Sequence, residues 1–227
     1  MNDYLEIYPG KLLKPKDNER SDTPMIESLF PTPVYKNQDY TMSDKERNLI
    51  RHVCGFAKTN DGGNWTSTER YLFDAYDELK TFKDYCQTQL NHYAHEILKI
   101  HKKQQFYITQ SWGNLNTPGT NHHAHIHLNS VISAVYFVTE NSSPIVFERN
   151  LSSYLFPLCE FTTTEFNEFN SDSWKVDNTK DTLLLFPSSL KHRVPNNKTD
   201  IDRITISFNS FIKGTIGDTS KATELKL

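Results

Sequence analysis

"HIHLNSVISAVYFV", residues 125–138, is the stretch on which the reading of this chain turns. From Val131 it runs through β-branched, aromatic and small residues with neither Gly nor Pro, the composition of a buried strand. Two histidines stand at its head, and side chains two apart on an extended chain share a face. His125 and His127 are therefore expected at the lip of one strand that continues through Val131 to Val138. His123 joins that face only if the strand begins early. A His-x-His pair offers a metal two imidazoles, so a third ligand has to come from elsewhere. His192 is the best candidate, because it follows "LLLFPSSLK" (183–191), a buried strand and a turn. Of the other histidines, His52, His92, His95 and His101 fall in the N-terminal part, while His122 and His123 crowd the cluster itself.

The same period of two recurs on both sides of this stretch. "FYITQSWGNLN" (106–116), "SPIVFER" (143–149), "DTLLLFP" (181–187), "HRVPN" (192–196) and "DRITISFNSFI" (202–212) read as strands, and no long helical pattern separates them. Regularly spaced strands without crossover helices imply an antiparallel sandwich or barrel. Upstream the period is helical. "SDKE" (43–46) is a capping box that opens a helix ending near Gly55. A longer helix, 74–101, carries Leu79, Phe82, Cys86, Leu90, Tyr93 and Ile97 as one apolar stripe, with His92, His95 and Glu96 on its solvated side. "SLFPTPVY" (28–35) reads as a short edge strand and "TNDGGNWTS" (59–67) as a loop. The expected organisation is a flexible arm (1–24), one domain (25–214) and a tail (215–227). The domain divides into a helical support (43–103) and a β-barrel (104–214).

Bulk properties narrow the function classes. A chain of 227 residues with net charge −3 has no basic footprint for coating nucleic acid, and no apolar run long enough to span a membrane. The opening "MNDYLEIYPGKLLKPK" lacks a secretory h-region, and Cys54, Cys86 and Cys159 are far apart, so a cytoplasmic protein with reduced thiols is expected.

In "RITISFN" (203–209), Arg203, Thr205, Ser207 and Asn209 share one face and Ile204, Ile206 and Phe208 the other. An arginine pointing into a barrel is costly unless it meets an anion, and a guanidinium beside a hydroxyl suits a carboxylate. The alternative is the opposite register, with Arg203 outside in solvent. Gln110, Trp112, Asn114 and Asn116 likewise share a face expected to line the barrel.

These motifs in this order resemble the Fe(II)/2-oxoglutarate-dependent oxygenases. "LFPTPVY", "SWGNLNTPG", "HIHLNSVISAVYFV", "LLLFPSSLKHRV" and "RITISFN" are similar to an oxygenase family of phages and marine bacteria, across residues 28–212. Leu128 stands where that family usually has Pro, Ala134 where Gly is common, and Thr205 where Ser is usual. The resemblance implies a mainly β (α+β) fold, a double-stranded β-helix or jelly-roll, cupin-like barrel with N-terminal supporting helices. It implies His125, His127 and His192 as ligands of Fe(II), with His127 in the place of the usual carboxylate and His122 and His123 left as loop residues. 2-Oxoglutarate would be the cosubstrate, its far carboxylate on Arg203 and Thr205, with Asn114 and Asn116 as further contacts and Asn209 as a pocket residue. O2 would be the oxidant, with ascorbate as an accessory reductant. Asp200, Asp202 or Glu148 would support the imidazoles from behind.

The implied reaction hydroxylates a small molecule or a peptide or protein, in a prolyl-hydroxylase-like manner, in the cytoplasm of a bacterium or a phage-infected host. The segment 150–178, rich in Phe, Thr and Glu, is expected as a lid or substrate platform. Two other readings stay open. One is a cupin-type metal enzyme without 2-oxoglutarate, although the usual cupin glutamate is missing from "LNSVI" (128–132). The other is a non-enzymatic metal-binding β-sandwich.

Overall fold

The computed structural model describes residues 30–55, 58–140, 143–149, 162–177 and 179–227. The chain divides into an N-terminal unit, Met1–Thr32, and a second unit, Pro33–Leu227, which holds every element below. The arm expected at 1–24, Cys159 and most of the expected 150–178 segment's first half lie outside the described residues.

In chain order the elements are β1 (Tyr35–Asn37), α1 (Asp44–Cys54), β2 (Lys58–Thr59), β3 (Trp65–Thr66), α2 (Leu72–Ala75) and α3 (Lys80–His92). There follow β4 (Gln105–Asn116), β5 (His122–His125), β6 (Ile132–Phe137), β7 (Ile145–Glu148), β8 (Ser173–Val176) and β9 (Leu183–Pro187). The last are β10 (His192–Val194), β11 (Arg203–Lys213), β12 (Thr215–Ile216) and β13 (Leu225–Lys226). The larger sheet runs β1-β9-β6-β11-β4-β3-β2 and the smaller β5-β10-β7-β8, with antiparallel pairing throughout. This is the jelly-roll architecture.

Helices cover one face of the larger sheet. Ile50, Val53, Leu72, Phe82 and Leu90 pack with Tyr136, Leu183, Leu185, Ile204, Ile206 and Phe208 in one core. A smaller core lies between the sheets, where Val135, Phe137, Leu184 and Phe186 meet Ile145 and Phe147. Both faces of β6 are thereby buried, which explains its unbroken apolar sequence. The helical layer also decides the face of Arg203. The isoleucines of β11 already have an apolar cover, so the polar face turns inward between the sheets.

The capping box at Ser43 and Glu46 forms as expected, and the helix stops at Gly55. Arg47 ties α1 to the sheet, donating to Val138 O at 2.6 Å and to Asp181 Oδ1 and Oδ2 at 2.5 and 2.7 Å. The expected helix over 74–101 is broken. Tyr76 is extended (φ −132, ψ 110), a 3-10 turn spans Asp77–Leu79, and a π-helical turn, Tyr93–Ile97, ends the run before Lys99 at φ 56. Leu79, Phe82, Cys86, Leu90 and Tyr93 of the expected stripe are fully buried, whereas Ile97, at the end of the π-helical turn, is 38% exposed.

Other expectations change too. The 59–67 loop is a hairpin, β2–β3, that extends the larger sheet. The expected 28–35 strand begins only at Tyr35, where β1 forms an edge beside β9. Within 150–178, β8 pairs with β7. The C-terminal residues fold back as the β12–β13 ribbon.

The largest correction concerns the head of the histidine stretch. His122, His123 and His125 lie in β5, not in a loop, and β5 does not continue into β6. Asn129 turns the chain at φ 54, the His127 amide donates to Ser188 O, and β6 then enters the other sheet. An asparagine tolerates this left-handed conformation better than most residues.

Candidate active site

The histidines converge because β10 and β5 are neighbours, with His192 directly opposite His125 and flanked by Phe147 on β7. His127, just past the end of β5, leans over the same point. Ring centroids lie 4.5 Å apart for His125–His192, 5.1 Å for His127–His192 and 5.1 Å for His125–His127. One nitrogen from each falls within 4.8 Å of the others, an arrangement that could hold a metal ion. His122, His123 and His125 form a second such group, in which His123 is exposed.

Backbone carbonyls orient two of the rings. His125 Nδ1 lies 2.8 Å from His123 O and His192 Nδ1 2.9 Å from Leu190 O. A carbonyl can only accept, so each Nδ1 carries the proton and each Nε2 keeps its lone pair. Burial, with the neighbouring imidazoles, pushes His192 down to about 3 and His127 down to about 4, and burial lowers His125 as well. All three are neutral near pH 7, as metal ligands must be. Glu148, expected behind the imidazoles, is instead engaged by Arg193 and Lys191, each at 3.0 Å. His125 and His192 take their support from main chain.

Across the cavity stands the inner face of β11. Arg203 is 2% exposed; its Nε donates to Ser143 O at 3.2 Å, and its guanidinium sits 5.1 Å from the Phe137 ring centroid. Burial pulls it down to about 10, still charged near neutrality, and among the described residues no carboxylate pairs with it. Such a group is costly to bury unless an anion reaches it. Thr205 lies two residues on, and β11 sets Arg203 opposite Asn116 and Thr205 opposite Asn114. Asn114 is committed within the protein, accepting from Thr66 Oγ1 at 3.4 Å and donating to Ser207 Oγ at 3.0 Å. Asn116 is wholly buried, and neither polar atom of its side chain finds a partner.

One cavity is lined by His125, His127, His192, Arg203, Thr205, Asn114 and Asn116 together. His122 lines it too, stacked on His125 at 4.5 Å, because the β5–β10 register shifts between the His192–His125 and Val194–His122 pairs and turns the two rings to one side. Gln110 does not reach it. The register slips between the Phe208–Ser111 and Ser210–Ile108 pairs, and this bulge leaves Gln110 exposed. Asn209 accepts instead from Ser133 Oγ at 2.8 Å.

The donor set fits the groups it would take. Three neutral imidazoles suit a divalent transition metal, and a buried unpaired guanidinium beside an unsatisfied amide suits the far end of a dicarboxylate.

The comparisons agree with this chemistry. Residues 110–209 match the model of a family described as "Putative 2OG-Fe(II) oxygenase". No curated protein sequence matches the chain. Among solved structures, a 2OG-Fe(II) oxygenase family oxidoreductase from Burkholderia pseudomallei is similar, with TM-score 0.52 and 8% identity over 78% of this chain and 83% of that one. HygX from Streptomyces hygroscopicus, solved with nickel, 2-oxoglutarate and hygromycin B, aligns at TM-score 0.50 and 13% identity over 79% and 82%. The non-heme alpha ketoglutarate dependent carbocyclase SnoK from nogalamycin biosynthesis aligns at 0.53 and 11% over 79% and 80%. At such identities these likenesses establish the double-stranded β-helix fold. The chain thus has the fold of the Fe(II)- and 2-oxoglutarate-dependent oxygenases, and its residues 110–209 are similar to that family.

Proposed function

We propose that this enzyme is a hydroxylase in which His125, His127 and His192 hold Fe(II) while Arg203 and Thr205 hold the far carboxylate of 2-oxoglutarate. The observation that carries the reading is the shared cavity: three converging neutral imidazoles on one wall and a buried, unpaired guanidinium on the other. Fe(II) chelated by a 2-oxo acid supplies O2 activation, and the overall reaction converts substrate, 2-oxoglutarate and O2 to hydroxylated substrate, succinate and CO2.

The chain's own residues do the rest. The carbonyls of His123 and Leu190 fix the tautomers of His125 and His192, so that ligand nitrogens face inward without reorganisation. Arg203 and Thr205 set the orientation of the cosubstrate by its remote end, which limits where its 2-oxo acid group can lie. Trp112, 5.7 Å from the His127 ring, and Phe186, 4.9 Å from His192, wall the site from water.

For the substrate, exposed Ile126 and Leu128 flank His127, and Trp174 stands exposed on β8. Apolar surface beside the mouth of the site favours a peptidyl substrate over a compact polar metabolite. The test is release of labelled CO2 from 1-labelled 2-oxoglutarate, with Fe(II) and O2, in the presence of a peptide library or a metabolite library. Stimulation by peptides supports both parts of the reading. Stimulation by metabolites alone removes the peptidyl part, and no release under any condition removes the reaction.

A further inference from the structure

On β3, Thr66 faces the cavity side of the sheet, because its hydroxyl donates to Asn114. Trp65 points the other way and is 37% exposed. Asn64, two residues before Thr66, continues the Thr66 face. Asn64 immediately precedes β3, and one residue beyond the pairs Trp65–Leu115 and Thr66–Asn114 the chain brings it level with Asn116, which lies opposite Arg203 on β11. Three strands thus place Asn64, Asn116 and Arg203 in one row across the inner face. In the next row Thr66 donates to Asn114, whose amide donates on to Ser207, whereas the Asn64 and Asn116 side chains make no hydrogen bond.

Asn64 is 0% exposed and, like Asn116, has both side-chain polar atoms without a hydrogen-bond partner. They are the two residues with such atoms among those described. An unsatisfied buried amide destabilises a fold. Two on adjacent strands, next to a buried guanidinium that lacks a carboxylate, mark a place built for a ligand's polar end.

We infer that Asn64, from the hairpin outside the oxygenase-matched residues, completes the binding site for the far carboxylate of the 2-oxo acid together with Asn116 and Arg203. Both amides then act as N–H donors to carboxylate oxygens, and the row selects a dicarboxylic 2-oxo acid. The hairpin is held over this position from the other side as well. A Cβ on Gly62 would lie 2.3 Å from Asn121 O, and Asn121 N donates to Gly62 O at 3.0 Å, so no side chain fits there. The inference rests on the 2-oxoglutarate reading above.

The experiment measures calorimetric binding of 2-oxoglutarate and of 2-oxobutyrate, which lacks the far carboxylate, to Ni(II)-loaded protein. The proteins compared are wild type, Asn64→Leu, Asn64→Ala and Arg203→Met, each with its ligand-free melting temperature. The expected result is about a tenfold loss of 2-oxoglutarate affinity in both Asn64 variants, one charge-assisted hydrogen bond. Affinity for 2-oxobutyrate should stay unchanged, and the ligand-free melting temperature of Asn64→Leu should equal or exceed wild type. Wild-type affinity for 2-oxoglutarate in both Asn64 variants, with loss in Arg203→Met, overturns the role of Asn64 alone. Equal weakening of both acids also overturns it, since the effect would not depend on the far carboxylate. No binding of 2-oxoglutarate by wild type overturns the underlying reading and this inference with it.

Discussion

His127 Nε2 and His192 Nε2 lie 3.3 Å apart, although 65 positions separate the two residues in the chain. His192 Nδ1 is committed as a donor to Leu190 O, so its Nε2 presents a lone pair towards His127. With both rings neutral, this close approach is held together by one shared proton or by a cation between the nitrogens. A metal ion satisfies both rings and His125 at once. His127→Ala and His192→Ala should therefore each reduce bound Ni(II) from one equivalent to near zero in dialysed protein. His123→Ala should retain it, since His123 belongs only to the more exposed histidine group. Loss of metal in His123→Ala with retention in His192→Ala would move the centre to the other group.

The pH dependence follows from burial. An unfolded imidazole titrates near about 6.5, whereas His127 is held to about 4 and His192 to about 3. Between those values the unfolded chain binds protons that the folded one does not. The metal-free protein should be most stable above about pH 6.5 and lose stability steadily as pH falls towards 4. Metal affinity should stay nearly flat from pH 8 to about 5 and collapse below about 4. Thermal unfolding and Ni(II) competition across that range check both, and a metal-affinity midpoint at the free imidazole value would contradict the buried, neutral cluster.

Much of this was legible before folding, but unevenly. The strands from 105 to 213 showed themselves because alternating or continuous apolar residues match a period of two. The break between His125 and Val131 did not, since "IHLNS" holds no Gly or Pro and only Asn129 hints at a left-handed turn. The β2–β3 hairpin was hidden because its strands are two residues long and the residue that β3 turns to the sheet's inner side, Thr66, is polar. The breaks in the 74–101 helix were masked by apolar residues at helical spacing, which continue as far as Tyr93 in the buried face and lose it at Ile97. The inward turn of Arg203 could not be read from β11 alone, because it depends on the helices that cover Ile204, Ile206 and Phe208. The convergence of His192 on His125 is likewise a matter of strand order, which no local pattern carries.

Arg203→Met should lower affinity for 2-oxoglutarate about a hundredfold, about 2.7 kcal/mol, because it removes a paired charge-assisted contact. It should not lower the melting temperature of the ligand-free protein, since a buried unpaired charge is replaced by a matching apolar chain. Arg203→Lys should rescue little, as an ammonium cannot reproduce the planar fork. Calorimetry and thermal unfolding read the two effects separately.

Asp181→Asn tests the scaffold and spares the site. Asp181 accepts both contacts from the Arg47 Nη2 group and also the Tyr136 hydroxyl, on the helix-covered side of the larger sheet. The Asp181 side chain is 17% exposed, so loss of its charge beside buried Arg47 costs about 1–3 kcal/mol. The variant should melt several degrees lower yet bind Ni(II) and 2-oxoglutarate with wild-type affinity at 20 °C. A parallel loss of metal would mean that the helical layer, and not strand pairing alone, holds the histidines in place.

The central claim is that His125, His127 and His192 hold an iron to which 2-oxoglutarate, anchored by Arg203, can bind. Anaerobic titration of the Fe(II)-loaded protein with 2-oxoglutarate tests it most directly, by the visible metal-to-ligand charge-transfer band. Wild type should show a saturable band, Arg203→Met a band that needs far more 2-oxoglutarate, and His192→Ala none. Iron-loaded wild type that shows no band, or a His192→Ala variant that shows the wild-type one, would contradict it.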